Sequence, residues 1–206
     1  MTRPILSILI LSIETRAKYL ARLESILRPQ QCDEIEILVN LDDGDRTIGA
    51  KRNELLDVAQ GDYFAFIDDD DTVSDDYGQS ILVAARCKPD AIGFDVRCMV
   101  DGQFDRDALI SVRHGEWQTT TRDGKRTHLR TPNHLSPVRR EIALRHRFPD
   151  INSGEDAEYS RRIFPDIRSE NRIGKTLYTY EFRSNPLRAG EKTNGQKLTG
   201  KKAKRR

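Results

Sequence analysis

Tyr63-Phe-Ala-Phe-Ile-Asp-Asp-Asp-Asp-Thr72 is an apolar segment of strand length that ends in four consecutive aspartates. Tyrosine, phenylalanine and isoleucine are typical of a buried strand, and Gly61-Asp62 marks its start. Ligands of open α/β sheets bind at the carboxyl ends of the strands. Four desolvated carboxylates there would repel one another strongly, so we expect a positive charge among them, with a divalent cation as the simplest candidate. A solvated acidic turn is the alternative interpretation.

Strands and helices alternate on both sides of this segment. Leu20, Leu23 and Leu27 lie on one face of a predicted helix that Pro29 ends, and Thr47 is a suitable N-cap for a second helix. The predicted strands are Ile5–Ile10, Glu34–Leu41 and Tyr63–Ile67, and the predicted helices are Ala17–Leu27, Ile48–Ala59 and Asp75–Arg86, the last capped by Ser74. This order predicts an α/β fold with a Rossmann-related, mostly parallel sheet flanked by helices.

The second half of the chain has a different pattern, which predicts a mixed β region. Apolar residues alternate strictly from Ile92 to Val100, as is typical of a half-buried strand. The further predicted elements are a strand at Ala108–Val112, a hairpin of Glu116–Thr121 and Lys125–Arg130, a short helix opened by Ser136-Pro137, and a helix from Gly154 to Ile163. Because no repeat or linker interrupts it, the segment 1–186 is predicted to be one domain.

Charge is distributed unevenly along the chain. The net charge is +2, but residues 187–206 carry eight lysines and arginines against one glutamate, which leaves +7 on this segment and −5 on the rest. Because the segment has few apolar residues, we expect a disordered basic tail that binds a polyanion such as nucleic acid, or one that only aids solubility. The candidate nucleic-acid contacts are Lys201, Lys202, Lys204, Arg205 and Arg206.

Composition favours a cytoplasmic protein. The chain is 36% hydrophobic and 33% charged. No apolar run approaches the roughly 18 residues of a membrane helix, and the first residues lack a signal-peptide pattern. Cys32, Cys87 and Cys98 are an odd number of cysteines without metal-binding spacing, so reduced thiols are expected.

Two motifs at the predicted strand ends favour nucleotide binding. Asp42-Asp43 follows the second strand, where a carboxylate can accept a hydrogen bond from a nucleobase, although an ordinary acidic turn is the alternative. Lys51 and Arg52 lie in the first turns of a helix, whose free N–H groups and dipole suit a diphosphate. Cations at that position oppose the helix dipole, so a purely structural design would avoid them.

The aspartate run and a later acidic pair complete this set of motifs. Asp68–Asp71 offers oxygen ligands to Mg²⁺ or Mn²⁺, either of which can bridge a carboxylate to a phosphate. A base contact, phosphate donors and a metal at one sheet edge predict a nucleoside diphosphate as ligand. Glu155-Asp156 offers a general base for an attacking hydroxyl. Ser153-x-x-Asp156 also matches a helix capping box, which is the structural alternative.

Together these motifs resemble the inverting family 2 glycosyltransferases, which have the GT-A fold. The family has an N-terminal strand, an acidic turn, an Ala-Arg-Asn-like helix start, a DXD motif and a later Glu-Asp pair, in that order. The matching segments are Ile5–Arg16, Glu34–Gly44, Gly49–Asn53, Gly61–Asp71 and Gly154–Arg161. The resemblance implies a nucleotide-sugar half at residues 1–100 and an acceptor half at residues 101–186.

The resemblance also implies a role for each motif. The residues implied to bind the nucleotide-sugar, expected to be a UDP-sugar, are Ser12, Asp42, Lys51, Arg52, Asp68 and Asp69. Among them Asp42 would meet the base, and Lys51 and Arg52 the diphosphate. Asp70 would ligate Mn²⁺ or Mg²⁺. Asp156 would be the catalytic base, with Glu155 beside it on the donor sugar or the acceptor.

The chain departs from the family pattern at three places. Leu11-Ser12 stands where members often have Pro-Thr, and Tyr178–Phe182 contains no histidine that could complete a metal shell. The Gln-x-x-Arg-Trp signature of processive synthases is missing, which favours transfer of a single sugar. The acceptor is open between glycan, lipid, protein and DNA, for example DNA with hydroxymethylated pyrimidines.

Two other function classes remain open at this point. Asp68-x-Asp70-x-Thr72 also fits the nucleophile motif of haloacid-dehalogenase-type phosphatases. Those enzymes carry the motif on their first strand, whereas two βα units precede it here. A non-catalytic module that binds nucleotide or nucleic acid is the third class, although the intact aspartate run and Glu155-Asp156 argue against it.

Overall fold

Three parallel strands form the amino-terminal part of the sheet in the computed structural model, which describes residues 3–184. Strand β1 (Leu6–Ile13) pairs with β2 (Ile35–Asp42) on one side and with β3 (Tyr63–Asp68) on the other. The helices of this half are α1 (Ala17–Leu27), α2 (Ile48–Val58) and α3 (Tyr77–Ala85). Every residue of β1 is buried, as expected for a central strand that is covered on both faces.

The second half extends this sheet with strands of both directions. Its elements are β4 (Thr72–Val73), β5 (Ala91–Val100), β6 (Gln103–Ile110), β7 (Gln118–Arg122), β8 (Lys125–Arg130), β9 (Val138–Arg139), α4 (Arg140–Arg145), α5 (Glu155–Ile163) and β10 (Glu170–Phe182). The strand order is β2-β1-β3-β9-β5-β6-β8-β7, and β10 pairs with both β4 and β5. The predicted α/β class with a mixed second half is confirmed.

The helices cover both faces of the sheet, and alternate residues of β1 face the two cores. Leu6, Ile8 and Ile10 join the core under α1 and α3. Leu9 and Leu11 join the core under α2, α4 and α5. Within residues 3–184 no helix is long and apolar enough to cross a membrane.

Several predicted boundaries differ from the structure. Helix α3 begins at Tyr77 without a side-chain cap, so Ser74 is not its cap. Ser136-Pro137 leads into β9, and the helix that follows starts only at Arg140. The capping box at Ser153 is also wrong, because Gly154 is the N-cap of α5 and adopts a left-handed conformation with φ of 82°. A side-chain cap is not possible from a glycine.

Strand β10 was not predicted at all, and β6 begins five residues before the predicted start at Ala108. Both strands carry many charged residues, so their local pattern does not indicate a strand. They are held by pairing with β5, whose strict apolar alternation was recognised. The predicted hairpin across Asp123-Gly124 is confirmed by the antiparallel pairing of β7 with β8.

Candidate active site

The four aspartates lie where β3 ends, and their side chains divide into two kinds. Asp69 and Asp71 are buried, with 2% and 1% of the residue exposed. The side chains of Asp68 and Asp70 are 33% and 31% exposed. Asp68, Asp69 and Asp70 line a cleft of about 280 Å³ above the carboxyl ends of the parallel strands. The two alternate residues of the DXD pattern are therefore the ones open to a ligand.

Asp71 attaches this run to strand β10. The hydroxyl of Tyr178 donates to Asp71 Oδ2 at 2.6 Å and accepts from the backbone N–H of Asp68 at 3.2 Å. The backbone N–H of Glu181 donates to Asp71 Oδ1 at 2.7 Å. Burial raises the pKa of Asp71 well above its ordinary value. Asp71 is thus an internal anchor that fixes the backbone carrying Asp68.

Asp69 and Asp70 share one arginine. Arg16 Nη2 lies 2.7 Å from Asp69 Oδ1 and 2.6 Å from Asp70 Oδ2. Ser12 Oγ donates to the other oxygen of Asp69 at 2.6 Å. Burial raises the pKa of Asp69 to about 6, against the opposing effect of Arg16. Since Ser12 is fully buried, the structure places it beneath the cleft, as a support for Asp69.

Arg52 connects Asp68 to the acidic pair at the start of α5. Its Nη2 lies 3.1 Å from Asp68 Oδ1 and 3.6 Å from Glu155 Oε1. The guanidinium is held between the rings of Phe66 and Phe148, each 5.3 Å from its carbon atom. Burial favours the neutral form of Asp68, but Arg52, helped by His134, lowers the pKa of Asp68 below its ordinary value. Asp68 is therefore ionised at neutral pH.

Asp156 differs from its neighbour Glu155 in forming no ion pair within the described residues. Glu155 is buried and paired with Arg52. Asp156 is half-buried and forms no hydrogen bond or ion pair with any residue in the described range 3–184. A general base must have a free oxygen to accept a proton. Of the two carboxylates, Asp156 is the one that no arginine or lysine of residues 3–184 holds in an ion pair.

A second cleft, of about 440 Å³, adjoins the first on the side of the mixed strands. The two clefts share five lining residues, namely Arg52, Asp68, Asn152, Ser153 and Glu155. Asp69 and Asp70 line only the first cleft, and Asp156 lines only the second. Asp70 and Asp156 thus line adjoining clefts that share one wall.

The amino terminus of α2 is not an open anion site, so that part of the diphosphate prediction is wrong. The N–H of Ile48 donates to Asn152 Oδ1 at 2.9 Å, and that of Gly49 to the Ile151 carbonyl at 3.1 Å. The N–H groups of Ala50 and Lys51 are taken by Thr47, which confirms Thr47 as the cap. A side chain at position 49 would collide with the Pro149 carbonyl. Because residue 49 is a glycine, the segment from Pro149 to Asn152 can pack directly against the start of α2.

Lys51 and Asp42 are paired with each other. Lys51 is 2% exposed, and its Nζ donates to Asp42 Oδ1 at 2.6 Å and to the Ser12 carbonyl at 2.8 Å. Arg46 lies 3.3 Å from the other oxygen of Asp42. The structure therefore gives Lys51 a role in joining β1, β2 and α2, and it does not bring Lys51 into the cleft. Base contact by Asp42 stays a prediction.

The first cleft fits a cation that a substrate helps to bind. Among residues 3–184, no three histidine, cysteine or carboxylate side chains converge as a metal site. The lining of the first cleft nevertheless has four carboxyl groups (Asp68, Asp69, Asp70 and Glu155) and two guanidinium groups (Arg16 and Arg52). A bare diphosphate would be repelled by this excess of carboxylates. Mg²⁺ held by one or two carboxylates and by substrate phosphates would need few protein ligands and would also offset the excess of carboxylates.

The sequence patterns do not identify several of the residues that compensate the negative charge of the aspartates. Arg16 and Arg183 contact Asp70, and His134 Nε2 lies 3.6 Å from Asp68 Oδ2. The run of four aspartates predicts a nearby positive charge, for which a metal ion is the simplest candidate. The run itself does not indicate which distant arginine supplies that charge. The predicted nucleic-acid contacts, Lys201, Lys202, Lys204, Arg205 and Arg206, lie outside the described residues.

Fold and site together define an α/β protein with a ligand cleft at the carboxyl ends of its parallel strands. Residues 29–146, more than half of the chain, match the sequence profile described as Glycosyl transferase family 2. The chain belongs to this family, which argues against the phosphatase alternative. No curated protein sequence matches the chain.

Solved structures with the same fold include Staphylococcus aureus TarS, and the chain has the GT-A fold. TarS 1-349 matches with a TM-score of 0.65 and 16% identity over 86% of this chain and 60% of that one. TarS 1-349 in complex with UDP-GlcNAc matches with a TM-score of 0.65 and 14% identity over 92% of this chain and 62% of that one. This chain thus spans under two thirds of the TarS fragment.

Proposed function

We propose that the protein transfers one sugar from a UDP-sugar to an acceptor hydroxyl, with inversion at the anomeric carbon. The observation that carries the proposal is the pair of adjoining clefts with Asp70 in one and Asp156 in the other. A donor in the first cleft and an acceptor in the second would meet at the wall formed by Arg52, Asp68 and Glu155. The complexes of TarS with UDP and with UDP-GlcNAc support this class of donor.

Asp156 is the proposed general base. Its carboxylate takes the proton of the acceptor hydroxyl while the hydroxyl oxygen attacks the anomeric carbon and the bond to the nucleoside diphosphate breaks. Attack from the side opposite to the leaving group inverts that centre. Glu155 is engaged by Arg52, so its role is to position Arg52 and to contact a sugar hydroxyl.

The leaving diphosphate needs positive charge, and the first cleft offers it from two sources. Arg16 and Arg52 supply guanidinium groups that are already in place, which lowers the cost of reorganisation during the reaction. Asp70 is the proposed ligand of Mg²⁺ or Mn²⁺, which would neutralise the diphosphate and the excess of carboxylates. Asp68 and Asp69 line the same cleft, and Asp42 is the proposed contact for the base.

The test is a panel of nucleotide-sugars with Mg²⁺ or Mn²⁺, offered together with glycan acceptors and with DNA that contains hydroxymethylated pyrimidines. Products are scored by mass spectrometry. We expect a mass increase of one hexose or one pentose, absent in the Asp156→Asn variant. A matched control is Glu158→Gln, an acidic residue of the same helix that is paired with Arg161 and Arg162 on the protein surface.

UDP binding, measured separately by calorimetry, should be unchanged by Asp156→Asn, because Asp156 does not line the first cleft. Full transfer activity of Asp156→Asn would refute the role of this residue. Absence of UDP binding by the wild-type protein, with or without Mg²⁺, would refute the proposed donor.

A further inference from the structure

An arginine pair forms one wall of the second cleft. Arg106 lies on β6, and His128 and Arg130 lie on β8, which pairs in parallel with β6. Alternate residues of a strand point to the same face of a sheet, so these three side chains share the face that lines the cleft. Asp156 lines the same cleft. Whatever brings its hydroxyl to Asp156 therefore lies beside the two arginines.

His128 holds the two guanidinium groups together and adds no charge of its own. Its Nδ1 lies 3.3 Å from Arg106 Nε and 2.7 Å from Arg130 Nη2. Arginine only donates hydrogen bonds, so Nδ1 must be the acceptor and the imidazole must be neutral. Burial, with the charges of Arg130 and Arg106, agrees by lowering the pKa of His128 to about 4.

No carboxylate within residues 3–184 lies at ion-pair distance from Arg130, and the one whose charge acts on it is Asp156 in the same cleft. Arg106 is paired with Asp105, its neighbour on β6. The protein partners of Arg130 are the carbonyls of Gln118 and Leu129 and the ring of His128, and no carboxylate of residues 3–184 forms an ion pair with it. Because its direct hydrogen-bond partners are all neutral, the Arg130 guanidinium can form a charge-assisted hydrogen bond with an anionic ligand.

Trp117 orients this arginine. The guanidinium carbon of Arg130 lies 4.8 Å from the centre of the indole ring. The indole N–H donates to Thr131 Oγ1 at 3.0 Å, which fixes the ring. A guanidinium stacked on an aromatic plane is preorganised to bind an oxyanion with two hydrogen bonds. Trp117 is 39% exposed and lines the cleft, so the same surface can also contact an apolar part of the acceptor.

We propose that the acceptor carries a phosphate group close to the hydroxyl that receives the sugar, and that Arg130 and Arg106 bind this phosphate. The inference rests on the proposed function, because it assigns the second cleft to the acceptor. A phosphomonoester and a phosphodiester offer the same oxyanion, and the experiment below separates them.

Binding at this site can be followed by intrinsic fluorescence. Trp117 is the only tryptophan in the sequence and contacts Arg130, so a ligand bound to Arg130 should change the tryptophan emission. The wild-type protein is titrated with inorganic phosphate, glycerol 3-phosphate and dimethyl phosphate, at constant ionic strength and with saturating UDP to occupy the first cleft. We expect a saturable change, with a dissociation constant on the order of 1 mM, that chloride does not produce.

Arg130→Gln should weaken this binding about tenfold or more, since a charge-assisted bidentate contact is lost. Arg97→Gln is the matched control, because Arg97 is exposed on β5 between the cleft-lining residues Val96 and Cys98 and therefore points to the opposite face. Binding by Arg97→Gln should equal that of the wild type. A preference for glycerol 3-phosphate would indicate a phosphomonoester acceptor, and a preference for dimethyl phosphate a phosphodiester backbone.

Transfer assays separate this inference from the proposed function. Acceptor pairs with and without phosphate should differ at least tenfold in kcat/KM, and Arg130→Gln should abolish that difference. Equal use of both acceptors, or phosphate binding unchanged in Arg130→Gln, would overturn the inference while transfer itself stands. Phosphate binding at Trp117 without any sugar transfer would instead overturn the proposed function, and with it the assignment of this phosphate to an acceptor, while the phosphate site itself would stand.

Discussion

Arg52→Met is expected to destabilise the protein more than any other single arginine substitution at the site. The Arg52 side chain is 3% exposed and compensates Asp68 and Glu155, the second of which is only 7% exposed. Removing one partner of a buried ion pair leaves an uncompensated charge and costs roughly 3–5 kcal/mol. Because Asp68 is one third exposed, we expect the lower end of this range, about 3 kcal/mol.

Urea denaturation followed by circular dichroism measures this change in the free energy of unfolding. Arg28→Met is the matched control, because Arg28 is 68% exposed and forms a surface pair with Glu24 four residues earlier. Such pairs contribute about 0.3–0.5 kcal/mol. In a chain of this size, 3 kcal/mol corresponds to a fall of about 6–12 °C in Tm.

The double variant Arg52→Met/Glu155→Gln provides the decisive comparison. If the cost arises from the uncompensated Glu155 charge, neutralising that residue should restore more than 1 kcal/mol relative to Arg52→Met alone. Simple additivity of the two changes would show that Arg52 acts through packing between Phe66 and Phe148. A loss below 1 kcal/mol in Arg52→Met would refute the electrostatic reasoning altogether.

Three further outcomes follow from the same geometry. Asp156→Asn should lower kcat about 10²–10⁴-fold, as for loss of a general base, and a loss under tenfold in steady-state transfer assays would contradict that role. Asp70→Asn should weaken Mg²⁺ binding in the presence of UDP but change little in its absence, and calorimetry that finds tight Mg²⁺ binding without UDP would contradict a substrate-assisted site. His128 has a folded-state pKa of about 4, below its unfolded value, so its contribution to stability is fully present above about pH 6.5 and is lost as the pH falls. After allowance for solvent screening, denaturation at pH 7 and pH 5 should give the wild type about 1 kcal/mol more loss than His128→Gln, and equal losses would contradict the lowered pKa.

Local patterns were sufficient for the first half of the fold. The helix Ala17–Leu27 was predicted at its observed bounds, and Thr47 was recognised as the cap of α2. Both signals are local, since one is a helical spacing of leucines and the other a capping residue before an apolar face. Strand β10 has no comparable signal, because its pairing with β5 and β4 depends on residues about 80 to 107 positions away.

The sequence indicates the carboxylates that line the clefts and one of their cations, Arg52, but not the other arginines. Asp68, Asp70 and Asp156 stand next to recognisable elements in the sequence, and their roles stay a prediction. Arg16 and Arg183 contact Asp70 from opposite ends of the described chain, and no sequence pattern predicts these contacts. Lys51 shows the converse error, because its place at a helix start suggested a phosphate ligand, whereas the fold buries it against Asp42.

Charge separates the two clefts and connects the two proposals. The first cleft has more carboxyl groups than guanidinium groups, so a nucleoside diphosphate can enter favourably only with a cation. Outside the shared wall, the second cleft has Arg106 and Arg130 against Asp156 alone. A phosphate on the acceptor would balance the charge of these arginines, while Asp156 in the same cleft faces the acceptor hydroxyl. The two proposals therefore assign this cleft to one acceptor molecule, with its phosphate at the arginines and its hydroxyl at Asp156.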